Sequence, residues 1–309
     1  MDEIKKLVIP DTSTTLAALR TGKIDIYETM NQATWQDAQS LAKSKPEIVQ
    51  GWWPSPGQTI EMRVDKSPFT DINVRTALQM SLDLKTIAKS YYGGIVTGVP
   101  EGLINSKFTG WTLPYDQWSA DLQAEYAFNP TKAKELLAKA GYPDGFKTDV
   151  IAQPGGEDIQ LLQLIKSQFM DIGVDMEINM FSDMASKQNY AQAGKMDQMT
   201  YTNTAGHTRN PLSSIKFRTS LVKENYTFNS DSQYDALVEK AEVAASIADA
   251  KQYCSDAEMY SLSKHWAITT FSTRSLIFWQ AWVKGNSGEN STICSNFYYA
   301  RWWIDETLK

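Results

Sequence analysis

Histidine and cysteine are scarce, with two of each in 309 residues. His207 and His265 are not at metal-ligand spacing, and no Asp/Glu cluster flanks either of them. Cys254 and Cys294 belong to no C-x-x-C pair, which argues against a thiolate metal centre. A bridge between them would close a long loop and stabilise the chain by about 4 kcal/mol in the chain-entropy picture. Two separate buried thiols fit the residues equally well. G-x-S-x-G, H-E-x-x-H, the P-loop and G-x-G-x-x-G are all missing. The S-x-x-K string Ser261–Lys264 lies in a helical pattern without the companion motifs of a β-lactamase-like site. A Ser–His–Asp group assembled in space is not visible from residue order. The chemistry therefore points to no enzyme and implies no cofactor. No apolar run reaches the roughly 18 residues of a spanning helix. "MDEIKKLVIPD" opens the chain without the apolar core of a signal peptide. Positive charge is not in excess, the net charge being −6, so nucleic acid and anionic membrane surfaces are poor partners.

Hydrophobic residues make up 42% and charged ones 21%, the balance of a globular chain long enough for two lobes. Ten Trp and fourteen Tyr stand out. Their apolar bodies and polar tips suit recognition surfaces, although packing claims most such rings.

"LVIPDTSTTLAALRTGKIDIYE" reads strand, helix, strand: Leu7–Ile9 favour β structure, Asp11, Thr12 and Ser13 offer capping oxygens, and Gly22 suits the position after the helix. "GWWPSPGQ", from Gly51 to Gln58, breaks the pattern. An extended segment Ile60–Val64 leads into one helical run from Val74 to Ala88, ended by Gly93 and Gly94. Asn129, Pro130 and Gly141 punctuate a further helix. The apolar positions Leu161, Leu164, Ile165, Phe169 and Ile172 mark another. "VDMEINM" then alternates, with Val174, Met176, Ile178 and Met180 on one face. Helix feeding into strand argues for an α/β layer. A helical pattern from Tyr234 to His265 is interrupted near Ser246, and an aromatic, β-like end follows.

Several stretches together resemble the extracellular solute-binding proteins of the peptide/nickel type, family 5, which serve ABC importers. They are "IPDTSTTLAALRTGKIDI", "SPFTDINVRTALQMSLDLKTIAKSYYGG", "NPTKAKELLAKAGYPDGF", "LIKSQFMDIGVDMEI" and "WQAWVKG", in the family order. The resemblance implies a periplasmic-binding-protein-like type II α/β fold of two lobes joined by a hinge. Residues 1–61 would be a partial lobe I, 62–275 lobe II with hinge strands at both ends, and 276–309 the return to lobe I. Hinge crossings fall near Met62–Lys66 and Phe271–Ser275. Material that precedes "IPDTSTTLAAL" in the family has no counterpart here, so the resemblance implies the C-terminal portion of a receptor. It also implies an extracytoplasmic setting, in the periplasm or lipid-anchored at the cell surface. An incomplete first lobe would leave sheet edges open to dimerisation. The implied partners are an importer permease and a peptide, sugar, opine or metal-chelate ligand.

Peptide-binding members carry a loop W-x-x-D-x-x-x-P whose aspartate pairs with the peptide's α-ammonium. "YTNTAGHTRNP" occupies that place, with Pro211 at the proline, His207 at the aspartate and Thr204 at the aromatic, Tyr201 being close by. An imidazole with Arg209 nearby favours an anionic or hydrogen-bond-accepting group instead. The ligand-binding expectation therefore covers His207, Arg209, Tyr201, Asn203 and Tyr92, with Trp279 and Trp282 ahead of Trp52 and Trp53 as stacking surfaces. The mechanism implied is hinge closure without chemistry, the alternatives being a hydrolase on a two-lobed α/β scaffold and a non-transport receptor or chaperone of the same fold.

Overall fold

The structure is a computed structural model that describes residues 3–28, 33–154, 158–206, 210–286 and 299–309. Among these, ten strands occur: β1 (Ile26–Glu28), β2 (Val49–Ser55), β3 (Gly57–Met62), β4 (Phe146–Ala152), β5 (Val174–Met180), β6 (Met199–Ala205), β7 (Ala267–Thr269), β8 (Thr273–Trp279), β9 (Val283–Lys284) and β10 (Trp303–Ile304). The chain forms two compact units, Met1–Pro54 with Arg274–Lys309, and Ser55–Thr273.

In the unit made of the two outer segments, a sheet of order β1–β8–β2 carries an apolar cluster on each face. One cluster joins Phe278 and Tyr27 to Leu16, Leu19 and Leu41. Its helix Thr12–Arg20 begins where Asp11 accepts the Thr14 amide at 2.7 Å. Asp37 and Thr34 form a reciprocal capping box on the helix Trp35–Ser44. The other cluster contains Trp53, Ile277, Trp279 and Val283. Two expectations are corrected here. Leu7–Ile9 forms no strand: the segment is coil, Leu7 and Val8 are 64% and 93% exposed, and nothing pairs with it among the described residues. The stretch from Gly51 is not a break, because β2 runs through Trp52, Trp53 and Pro54. Proline is tolerated since β2 lies at the sheet edge, where an amide needs no ladder partner.

The continuous unit is built on a five-stranded sheet of order β5–β4–β6–β3–β7. β4 runs parallel to β5 and β6, whereas β3 is antiparallel to β6 and β7. Ile60, Met62, Val150 and Tyr201 join the large core beneath the helices Ile72–Met80, Pro130–Lys139 and Ile159–Asp171. The expected single run from Val74 to Ala88 is two helices: Ile72–Met80 ends at Ser81, and Asp83 opens Leu84–Ser90 by accepting the Thr86 amide at 2.9 Å. A side-chain oxygen that competes for backbone amides breaks the helix there. Asn129 caps Pro130–Lys139, and Gly141 follows it at a φ of +92°. The long pattern after Tyr234 is the pair Ser232–Glu242 and Ile247–Ser263, the second capped by Ser246. Both pack on a second core with Trp266 and Ile104. No helix among the described residues is long and apolar enough to cross a membrane.

Candidate functional site

The expected site loop leaves the sheet at the end of β6, so the strand that delivers it decides where it starts. Tyr201 is fully buried in the core, and its hydroxyl donates to the Asp158 carbonyl at 2.9 Å. The Asp158 carboxylate caps the helix Ile159–Asp171 through the Leu161 amide. It also accepts the Tyr91 hydroxyl at 2.9 Å and the Tyr92 hydroxyl at 2.6 Å. Tyr92 meets Phe271 edge-on at 5.4 Å. Burial, reinforced by the Asp158 charge, pushes both phenols well above the ordinary range, so they stay protonated donors. Two expected site residues, Tyr92 and Tyr201, therefore converge on Asp158.

The opposite face of the same strands is polar and buried. The Glu61 carboxylate takes the Thr59 hydroxyl at 3.1 Å, the Thr204 hydroxyl at 3.0 Å and two Arg218 nitrogens at 3.2 and 3.3 Å. Arg218 also donates to Ser261 at 3.0 Å. Both charges are about 95% enclosed, and removing either one would strand the other. Thr204, the residue at the family's aromatic position, is thus tied down from below. Ser261, the serine of the S-x-x-K string, is committed to the same network.

At the end of β6, Gly206 adopts a φ of +61° and donates its amide to the Gly102 carbonyl at 2.6 Å. A Cβ there would fall on the Glu101 carboxylate and the Ser272 hydroxyl, so only glycine fits. Asn105, 3% exposed, donates its amide group to the Gly206 carbonyl at 3.2 Å and to Ser272 Oγ at 2.7 Å. Ser272 Oγ in turn donates to Glu101 Oε2, and Ser106 Oγ donates to Glu101 Oε1 at 2.6 Å. The Glu101 amide reaches the Thr270 carbonyl at 2.9 Å. Three distant segments, near 101–106, 206 and 269–272, are thereby knotted around the point where the loop departs. Beyond the loop, Asn210 caps the short helix Pro211–Lys216. Sequence reading missed Glu101, Asn105 and Ser272, because polar residues without periodicity give no signal until a fold joins them.

His207 and Arg209 lie outside the described residues. Asn203 is exposed on the strand between Tyr201 and Gly206. Trp279 and Trp282 belong to the other unit. Trp279 is 7% exposed and lies against Gly51, and Trp282 lies by Gly22 and donates its Nε1–H to Asp25 at 2.7 Å. Trp53 is buried, whereas Trp52 is 49% exposed beneath the Arg274 guanidinium, 3.9 Å from its ring centroid. The second histidine, His265, is 1% exposed, stacked on Tyr126 and within 3.0 Å of Glu125. Burial holds its basicity below the ordinary value, the Glu125 bond opposing, and no hydroxyl or thiol meets its Nδ1 among the described residues. Among the described residues it therefore has no nucleophile that it could serve as general base. Cys254 is buried, which pushes its thiol up to about 12, and Cys294 lies outside the described residues. No group of three or more His, Cys, Asp or Glu among the described residues could hold a metal ion.

A family model described as bacterial extracellular solute-binding proteins, family 5 Middle, matches residues 1–224. Heme-binding protein A of Haemophilus influenzae is 28% identical over 252 residues, covering 78% of this chain and 43% of that protein. Glutathione-binding protein GsiB of Salmonella typhimurium is 29% identical over 186 residues, or 58% of this chain and 32% of that protein. The chain thus spans less than half the length of these curated relatives. Among solved structures, the periplasmic binding protein DppA from Helicobacter pylori, in complex with peptide STSA, superposes with a TM-score of 0.75 at 20% identity. That match covers 96% of this chain and 56% of the other. The binding protein AgaA from A. tumefacien R10, in complex with agropinic acid, gives 0.74 at 22% identity, covering 96% of this chain and 59% of the other. The fold is that of the type II periplasmic binding proteins.

Proposed function

The chain belongs to the bacterial extracellular solute-binding proteins of family 5, and from that premise we propose that it captures a small polar solute for an ABC importer. The observation that carries this reading is the family match across residues 1–224. The solute class proposed is a peptide or peptide-like molecule. In support, DppA is described with a peptide, GsiB with glutathione, and a further structural neighbour with the dipeptide Met-Leu. The proposed partner is the importer permease, and the proposed setting is outside the cytoplasm, in the periplasm or lipid-anchored at the cell surface. Binding and release, without bond chemistry, would be the whole activity. Two units joined by two backbone crossings have the connectivity that hinge closure needs, with the solute favouring the closed state by its differential affinity.

His207, Arg209, Asn203 and Tyr92 are the proposed ligand contacts. Tyr201 enters as the residue that holds β6 in place, and Trp279 and Trp282 act within their own unit. Self-association belongs to the same reading, since Ile4, Leu7 and Val8 present apolar surface to solvent. Light scattering on the concentrated protein decides it, and a strict monomer removes that part.

The test is thermal unfolding of the chain with Ser-Thr-Ser-Ala, glutathione, hemin and an oligosaccharide. A solute at 100 times its Kd stabilises by about 2.7 kcal/mol, enough to raise the midpoint measurably. The expected result is a shift with a peptide that is lost in His207→Ala. No shift with any of the four solutes would sink the proposal.

A further inference from the structure

His265 follows the helix Ile247–Ser263 and leads into β7, at a φ of +48° that is uncommon outside glycine. Its imidazole is enclosed, stacked 4.7 Å from the Tyr126 ring, with Nε2 3.0 Å from Glu125 Oε2. That bond selects the Nε2–H tautomer of the neutral ring, since an ionised carboxylate can only accept. Nδ1 is buried and meets no partner among the described residues. A second proton would sit on Nδ1 and point at no acceptor.

The charges around the ring decide whether that proton fits. Arg75, on the helix Ile72–Met80, is 7% exposed and directs its donors to the carbonyls of Phe69, Thr70 and Lys264. Among the described residues it forms no ion pair, Asp71 acting only at longer range, and its charge bears on His265. Glu125, on the helix Ala120–Tyr126, pulls the other way, but its side chain is 47% exposed and screened by water. Tyr126 is a buried phenol that stays protonated, and the Arg218 charge it feels is already met by Glu61. Lys264 places its ammonium over the Tyr260 ring. A helix C-terminus favours a cation, yet the last carbonyls here are taken. Leu262 accepts from the Tyr126 hydroxyl and the His265 amide, and Lys264 accepts from Arg75. Burial outweighs the Glu125 bond, Arg75 adds to it, and the ring stays neutral below the ordinary histidine range.

We propose that His265 is an acid-operated latch: its protonation opens the joint between the helix Ala120–Tyr126, the end of the helix Ile247–Ser263 and the start of β7. The open form takes a proton as pH falls through 6.5 and the closed form resists it, so acid favours opening. The latch lies within Ser55–Thr273 and does not rest on the solute-binding reading.

The chain has two histidines, so 15N-histidine labelling gives two ring systems, and His207→Gln assigns them by removing one. The expected result is a His265 ring that holds the Nε2–H tautomer and titrates below 6.5, the ordinary histidine value. Hydrogen exchange of the full chain from pH 7.5 to 5, corrected for the intrinsic rate, reads the opening. Amides at 122–126 and 262–266 should lose protection by up to about tenfold per pH unit below 6.5, while those of β4 keep theirs. His265→Asn tolerates a positive φ and cannot titrate, so it should abolish that loss. If this variant does not fold, the wild-type ring titration and exchange still decide. A folded-state ring that titrates at 6.5 or above, or protection independent of pH, overturns the proposal. A loss that persists in His265→Asn also overturns it, as does an equal loss in β4, which would mean global unfolding.

Discussion

At the level of single residues, the continuous unit carries a charge problem in its second core. Glu258 is fully buried on the helix Ile247–Ser263, accepting the Ile104 amide at 2.7 Å and meeting the Thr112 hydroxyl. Burial pushes its acidity from the ordinary 4.5 up to about 8, so it is mostly protonated at neutral pH. The folded state then holds a proton that the unfolded chain releases above pH 4.5 or so, and stability must fall with rising pH. The loss runs at up to about 1.4 kcal/mol per pH unit between the unfolded and folded values and stops above the latter. Glu258→Gln reproduces the protonated group, accepting from Ile104 and donating to Thr112. Urea unfolding from pH 5 to 9 should show the wild-type slope flattened in the variant and the variant more stable by a few kcal/mol at pH 8. A variant that follows the wild-type profile would mean that Glu258 is ionised when folded. Nothing in the sequence marked Glu258 or Glu101, since a glutamate in a polar stretch looks solvated until a helix and a turn close over it.

At the level of elements, legibility followed the kind of signal. Caps were readable: Asp11 and Asn129 each accept a backbone amide at the helix start where they were expected, and Ser246, expected only as an interruption, caps the helix that follows it. Their chemistry is local, and three residues of sequence contain all of it. The break at Ser81–Asp83 was obscured because Val74, Leu78, Leu84 and Ile87 keep apolar spacing across it. Strands were harder, for β structure depends on a partner that sequence does not display. Pro54 sits inside β2 because an edge amide needs no ladder, and Leu7–Ile9 stays coil despite ideal strand composition. The coil has an energetic signature. Val8→Asp should alter stability by less than about 0.5 kcal/mol, as at any exposed site, whereas a buried strand valine would cost several times that. Urea unfolding of the variant separates the two, and a large loss would show Val8 to be covered in solution.

At the level of the molecule, the fold class was legible from the alternation of helix and strand, and from motifs in family order. The candidate site was legible in part: the loop could be placed, but the knot beneath it could not. Glu101, Gly206 and Ser272 come from segments that no periodicity relates, and strand order β5–β4–β6–β3–β7 alone brings them together. That sheet and its cores lie wholly within Ser55–Thr273. A protein consisting of residues 55–273 should therefore fold unaided and unfold in one cooperative transition by circular dichroism. A broad, non-cooperative melt would show that its core needs the outer segments. The three-stranded sheet of the other unit is in a different position. Its central strand β8 begins 218 residues after β2 ends at Ser55, so among the described strands neither β1 nor β2 has its neighbour until β8 leaves the ribosome. During synthesis the inserted unit can be complete while the unit of β1 and β2 is still waiting for its middle strand. For that interval, the open backbone of β2 with its exposed Trp52 is the part of the nascent chain that a chaperone would have to shield.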